Sequence, residues 1–182
     1  MSANFLLEWS STALSLTFLL GLILRKTWAW PAGIISSALS VLLFYRVGLY
    51  AETGLYVVYV IMGIYGWNHW RENAVEDEVA LVDLSVKTQR LALLGIPIAL
   101  LLGVGLNSLP MVSYAYFDAF TTVFGLWATW QETRRIRTAF HYWIPLNIAS
   151  VVLYGMKGLY VYAGLMVIYS IMSVVGYLNW RK

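Results

Sequence analysis

Along the chain, apolar residues gather in seven long blocks divided by shorter polar stretches. The blocks lie near 5–24, 28–45, 50–70, 91–109, 112–131, 141–156 and 159–179. Each is long enough, or nearly so, to cross ~30 Å of hydrocarbon as a helix. Helices are the required form, because lipid offers no partner to an unpaired backbone N–H or C=O. Small residues at Gly33, Ser36, Ser37 and Ser40 mark one stripe of the second helix and allow close backbone approach. Pro97 is expected to kink the fourth helix, with Pro31 and Pro145 in the first turns of theirs, where a missing N–H costs least. The one long polar connection, 71–90, carries Glu72, Glu76, Asp77, Glu78 and Asp83 and reads as a solvated linker.

Composition agrees with a bilayer as solvent. The 182 residues are 60% hydrophobic and 12% charged, with a mean hydropathy of +0.70, against about 25% charged in an ordinary soluble domain. Charge placement sets the orientation. With seven crossings, one side receives Arg25, Lys26, Arg71, Lys87, Arg90, Arg134, Arg135, Arg137, Arg181 and Lys182, and the other only Arg46 and Lys157. Basic loops resist translocation, so the richer side is expected to be cytoplasmic, with the N-terminus outside and the C-terminus inside. Met1–Trp9 has no basic residue and so lacks the n-region of a cleavable signal; the first helix is expected to be retained.

The sequence repeats itself. A shift of 110 residues lays 48–71 on 158–181 with 12 of 24 positions identical, among them Gly48, Tyr50, Gly54, Tyr59, Gly66, Trp70 and Arg71. The same shift pairs Glu8 with Asp118 and Arg25 with Arg135. The expected fold class is therefore an all-α integral membrane protein with seven transmembrane helices in a 3+1+3 layout. Residues 1–70 form a first three-helix bundle, 71–90 a cytoplasmic linker, 91–109 an inverting linker helix and 111–182 a second bundle. One helix between the triplets makes them parallel repeats, and substrate sites in such proteins lie between repeats.

Several runs resemble the PnuC family of vitamin and nucleoside transporters: IYGWNHW at 64–70, FDAFTT at 117–122 and WIPLN…SVVLYGMKGLY…VVGYLNW at 143–180. The resemblance covers nearly the whole chain. It implies a fold related to the SWEET sugar transporters, a bacterial cytoplasmic (inner) membrane location and a homo-oligomer. It also implies facilitated, uncoupled uptake of an unphosphorylated nutrient such as nicotinamide riboside or thiamine, which a cytoplasmic kinase then traps. Nicotinamide riboside-type members carry Gln where this chain has Tyr56, and Glu-Asn-Trp where it has Thr138, Ala139 and Phe140. The alternatives are riboflavin or deoxynucleosides as cargo, or proton-coupled symport of the same substrates.

Candidate contacts follow from chemistry and spacing. Trp67 and Trp70, three apart on one helix face, suit either a flat cationic ring held by π-faces or an interfacial aromatic belt ahead of Arg71. Asp118, followed by Thr121 and Thr122, suits either attraction of a cationic or hydroxyl-bearing substrate or a tie within the bundle; Glu8 suits the second better. Asn147, one turn after Trp143 and nearly one before Ser150, must find a polar partner in hydrocarbon, either a ligand or a neighbouring helix. Tyr56, Tyr59 and Tyr169 are expected to line the same cavity, and Tyr154 lies beyond Ser150 on the Asn147 helix.

Other classes lack their residues. There is no Cys, there are two His, and GxxxxGK[ST] and HExxH are missing, so no cofactor, metal site, ATP coupling or protease chemistry is expected. No basic stripe exists for nucleic acid. The expected partners are a small vitamin or nucleoside and membrane lipid.

Overall fold

The computed structural model describes residues 3–46, 50–75, 78–108, 114–156 and 160–181. In chain order they form α1 (Ala3–Ile23), α2 (Ala29–Arg46), α3 (Tyr50–Arg71), β1 (Ala74–Val75), β2 (Glu78–Val79), α4 (Val86–Gln89), α5 (Gly95–Asn107), α6 (Ala115–Thr133), α7 (Ala139–Met156) and α8 (Tyr160–Trp180). A 3-10 segment, Arg90–Leu94, joins α4 to α5. Seven long helices therefore stand on the seven apolar blocks. Among the described residues, four stretches are long and apolar enough to cross a membrane: Phe5–Ile23, Ala29–Arg46, Val86–Asn107 and Ala163–Trp180. Helices α3 and α6 are less apolar, and the apolar part of α7, Ala139–Leu153, is shorter; these three carry most of the candidate site residues. Polar groups inside a span are costly unless they face a bundle interior or serve a function.

The chain divides into two compact units, Met1–Leu81 with Glu132–Arg135, and Val82–Gln131 with Ile136–Lys182. In the first, α2 packs on both α1 and α3. The small stripe acts as expected: the Ser36 hydroxyl donates to the Ser11 carbonyl at 2.7 Å, and Ser36 and Ser40 are buried. Trp30 is the aromatic centre, edge-on to Phe18 at 5.3 Å and to Trp70 at 5.5 Å. Its ring lies so close to Gly66 that a Cβ there would sit 2.4 Å away.

The second unit repeats this packing. Phe140 takes the place of Trp30, edge-on to Trp180 at 4.8 Å, and a Cβ on Gly176 would sit 2.4 Å from the Phe140 ring. Exposure matches position for position between Thr53–Arg71 and Ala163–Arg181. The turns also match. Lys26 N–H donates to the Gly21 carbonyl and Arg25 N–H to Leu22, as Ile136 does to Gln131 and Arg135 to Glu132. Both are Schellman closures, in which the C′ residue is left-handed. Arg25 (φ 58°) and Arg135 (φ 62°) occupy that position, where Gly is usual.

Two expectations need correction. The 71–90 connection is not simply a solvated linker: β1 and β2 pair antiparallel, Val79 is 1% exposed, and Val82 bridges Ile136 in parallel. Pro145 lies beyond the first turn of α7, because the helix starts at Ala139, earlier than its apolar block. The carbonyl of His141 therefore lacks its N–H four residues on. Pro97 is the third residue of α5, directly after the 3-10 segment.

Candidate functional site

On α7, spacing places Trp143, Asn147 and Ser150 along one face. Asn147 is buried, and its side-chain N–H donates to the Ser173 hydroxyl of α8 at 2.9 Å. The amide thus has an interhelical partner. Ser150 is half-buried and turns its hydroxyl back to the Leu146 carbonyl at 2.9 Å, leaving an oxygen lone pair for another donor. Trp143 is half-buried, and its indole N–H is enclosed without an acceptor among the described residues. An enclosed, unmade hydrogen bond costs about 1–3 kcal/mol; the indole N–H groups of Trp30 and Trp127 are enclosed in the same way.

On α3, Tyr56 and Tyr59 are half-buried and meet edge-on at 5.5 Å, with Phe44 of α2 against Tyr56 at 5.1 Å. The two tryptophans diverge. Trp67 is half-buried and lies beneath the Arg71 guanidinium, 5.4 Å from the ring centroid, as an interfacial residue would. Trp70 is fully buried, edge-on to Trp30, and its indole N–H donates to the Glu132 carbonyl at 2.9 Å. The pair does not form a shared platform for a ring, because one indole is sealed into the packing of its unit.

On α6, Asp118 is half-buried in the first turn, where the helix dipole favours a carboxylate. The Thr121 hydroxyl bonds back to the carbonyls of Phe117 and Asp118, at 3.1 and 3.0 Å. Glu8, its repeat counterpart, is half-buried in α1, and its backbone carbonyl accepts from the Ser11 hydroxyl. Tyr169 of α8 is half-buried as well. The Tyr154 side chain, Glu76, Asp77, Lys157 and Lys182 lie outside the described residues.

An aromatic row was not foreseen from the sequence. Phe120, Phe124 and Tyr142 stack in succession, at 5.7 and 6.5 Å, and Trp127 stacks on Trp130 at 4.9 Å. With Tyr116, Phe117, Thr121 and Leu146, the first three residues line a groove of about 570 Å³ between α6 and α7. The spacing 117, 120, 124 was the available signal. At the matching positions of the first unit stand Leu7, Ser10 and Leu14. Ser173, the partner of Asn147, was likewise missed, since its own sequence context is plainly apolar. Among the described residues no cluster of His, Cys, Asp or Glu suits a metal ion.

Comparison with known proteins adds an independent line. The sequence model of a family described as nicotinamide mononucleotide transporter matches residues 5–182. A solved structure described as the crystal structure of the vitamin B3 transporter PnuC superposes with a TM-score of 0.72 at 24% identity, over 96% of this chain and 80% of that one. At that identity the likeness is one of fold. No curated protein matches.

Proposed function

Since the chain belongs to the nicotinamide mononucleotide transporter family, and so is a membrane transporter and not an enzyme, we propose that it carries an unphosphorylated vitamin of the nicotinamide riboside or thiamine type. The seven apolar blocks contain no Lys or Arg. A phosphate dianion would find no cation along that path, and charges inside a bilayer are costly without partners. The unphosphorylated form avoids this cost, and phosphorylation by a cytoplasmic kinase then keeps the product inside.

Movement is downhill and uncoupled. Among the described residues of α7 and α8 there is no carboxylate, and α6 offers Asp118 in its first turn, whereas proton relays usually run through several ionisable side chains. The two triplets are read as parallel bundles in a 3+1+3 plan, N-terminus out and C-terminus in, within a bacterial inner membrane and as a homo-oligomer. Tyr56, Tyr59, Trp67, Asp118, Trp143 and Ser150 are the proposed contacts, with Trp70 and Asn147 holding the helices behind them.

The observation that carries this reading is Trp143, a half-buried indole whose enclosed N–H has no acceptor among the described residues, one turn from the buried Asn147–Ser173 pair. A ribose hydroxyl, a carboxamide or a pyrimidine nitrogen supplies that acceptor. The test is proteoliposomes loaded with buffer and given tritiated nicotinamide riboside or thiamine. Label inside should rise to the outside level and stop, with or without a proton gradient. Accumulation above that level under a gradient would favour symport through Asp118, and no uptake of either compound would defeat the substrate assignment.

A further inference from the structure

The outer face of α3 changes character along its length. Val57, Val58, Ile61, Ile64 and Tyr65 are all exposed, and their three- and four-residue spacing sets them in one stripe. Asn68 and Arg71 continue the stripe, as does Glu72, whose N–H still bonds to the Asn68 carbonyl at 3.1 Å. These last three residues line a pocket of about 380 Å³. From Val57 to Asn68 the helix rises about 16 Å, roughly one leaflet of a ~30 Å hydrocarbon core. An apolar strip one leaflet long that ends in a polar pocket has the proportions of a single phospholipid.

The charge at this end fits the same guest. The Arg71 guanidinium lies over the Trp67 ring at 5.4 Å, and that of Arg134 over the Tyr65 ring at 5.6 Å, with His69 stacked on Tyr65 at 5.9 Å. The rings thus hold two cations where the apolar strip ends. All of these residues belong to the first compact unit, which takes in Met1–Leu81 and Glu132–Arg135. Set against the Glu72 carboxylate, the two guanidinium groups leave one positive charge. That is the complement of a phosphodiester whose head group is uncharged. Arginine grips phosphate oxygens through paired N–H bonds, while Glu72 accepts from a head-group hydroxyl and the Asn68 amide can donate or accept.

The chain builds this arrangement once. The 110-residue shift sets Val175, Asn179 and Leu24 at the positions of Tyr65, His69 and Arg134. The matching face of α8 is exposed and apolar too, through Val167, Ile168, Ile171, Val174 and Val175. A three-helix unit therefore folds without the ring and the cation, and their presence on α3 calls for another reason.

We propose that this face of α3 binds one anionic phospholipid with a phosphoglycerol head group. An acyl chain runs along Val57–Tyr65, the head enters the pocket of Asn68, Arg71 and Glu72, and Arg71 and Arg134 face the phosphate. The inference holds whichever vitamin is carried, because no cargo enters it.

The test uses the full chain in detergent, mixed in turn with phosphatidylglycerol, phosphatidylethanolamine and phosphatidylcholine, and read by native mass spectrometry and thermal unfolding. One phosphatidylglycerol per chain should be retained, about fivefold more than either other lipid, the worth of roughly one basic charge at an anionic lipid surface. That lipid alone should raise Tm. Arg71→Gln and Arg134→Gln should each cut retention about fivefold and leave the lipid-free Tm near wild type, while Arg134→Lys restores part of the binding. Arg181→Gln, the repeat counterpart of Arg71, should retain lipid as wild type does. Equal retention of all three lipids overturns the proposal, and so does a preference for phosphatidylethanolamine. Loss in Arg181→Gln equal to that in Arg71→Gln would reduce the effect to a generally basic surface, and a lipid-free dimer closed over this face would replace the lipid by a second copy.

Discussion

Replacing Trp70 by Phe separates packing from ligand contact. In the structure the indole is fully buried, its N–H is bound to the Glu132 carbonyl at 2.9 Å, and its edge meets Trp30. Losing one such bond between membrane helices costs about 0.6–1.7 kcal/mol. Removing roughly 40 Å³ of ring at about 24 cal/mol per Å³ adds about 1 kcal/mol. The sum is about 1.5–3 kcal/mol, and for a chain of this size a Tm lower by roughly 3–12 °C. Thermal unfolding in one detergent measures it, with nicotinamide riboside and thiamine binding followed in parallel. Trp67→Phe is the comparison: half-buried under Arg71, it stands to lose a cation–π contact worth ~0.5–1 kcal/mol. A Trp70→Phe protein that melts within 1 °C of wild type while its affinity drops tenfold would show that the indole faces ligand, and the packing argument would fail.

Five further outcomes follow. Trp143→Phe, which removes the enclosed N–H together with part of a half-buried ring, should lower Tm by less than Trp70→Phe and weaken binding three- to thirtyfold by isothermal titration; unchanged affinity removes the observation on which the substrate reading stands. Asn147→Ala and Ser173→Ala in a double-mutant cycle should show a coupling of about 0.6–1.7 kcal/mol, whereas additive effects would deny the interhelical bond. Gly66→Ala and Gly176→Ala should each lower Tm, because the new methyl meets a locked ring at 2.4 Å; overpacking of this kind costs about 1–3 kcal/mol. Gly54→Ala, with nothing within 4 Å of its Cβ, should be neutral or slightly stabilising in the same melt. Finally, Asn73→Cys should label with an impermeant maleimide only in inside-out vesicles, since Asn73 is exposed beyond the end of α3; labelling in right-side-out vesicles would reverse the orientation.

The helices were legible because lipid leaves so little choice: long apolar blocks give long helices, and the 110-residue repeat announces itself in Gly66, Trp70 and Arg71 against Gly176, Trp180 and Arg181. The folded part of the 71–90 connection was hidden. Between 72 and 85 the apolar residues gather in the short run 79–82, flanked by acidic ones, and a run that short does not say which of them is buried. The Schellman turns were equally silent, since arginine stands where glycine would have marked the helix ends. At the site, residue type was readable and direction was not. Trp67 and Trp70 share a helix face, yet one degree of extra burial and a neighbour 62 residues away make Trp70 a packing residue. Asn147 demanded a partner from its chemistry alone, but only three dimensions could name Ser173.

The bond from Trp70 to the Glu132 carbonyl sets an order of events during synthesis. Its acceptor lies 62 residues downstream, and at roughly 5–20 residues per second the ribosome delivers it about 3–12 s after the indole. Until then the first unit holds a polar donor with no native acceptor in place, while further helices are still being inserted. Its folding is thus finished by the end of α6, well after its own helices have emerged, and a nascent protein arrested before α6 should be a ready target for membrane quality control.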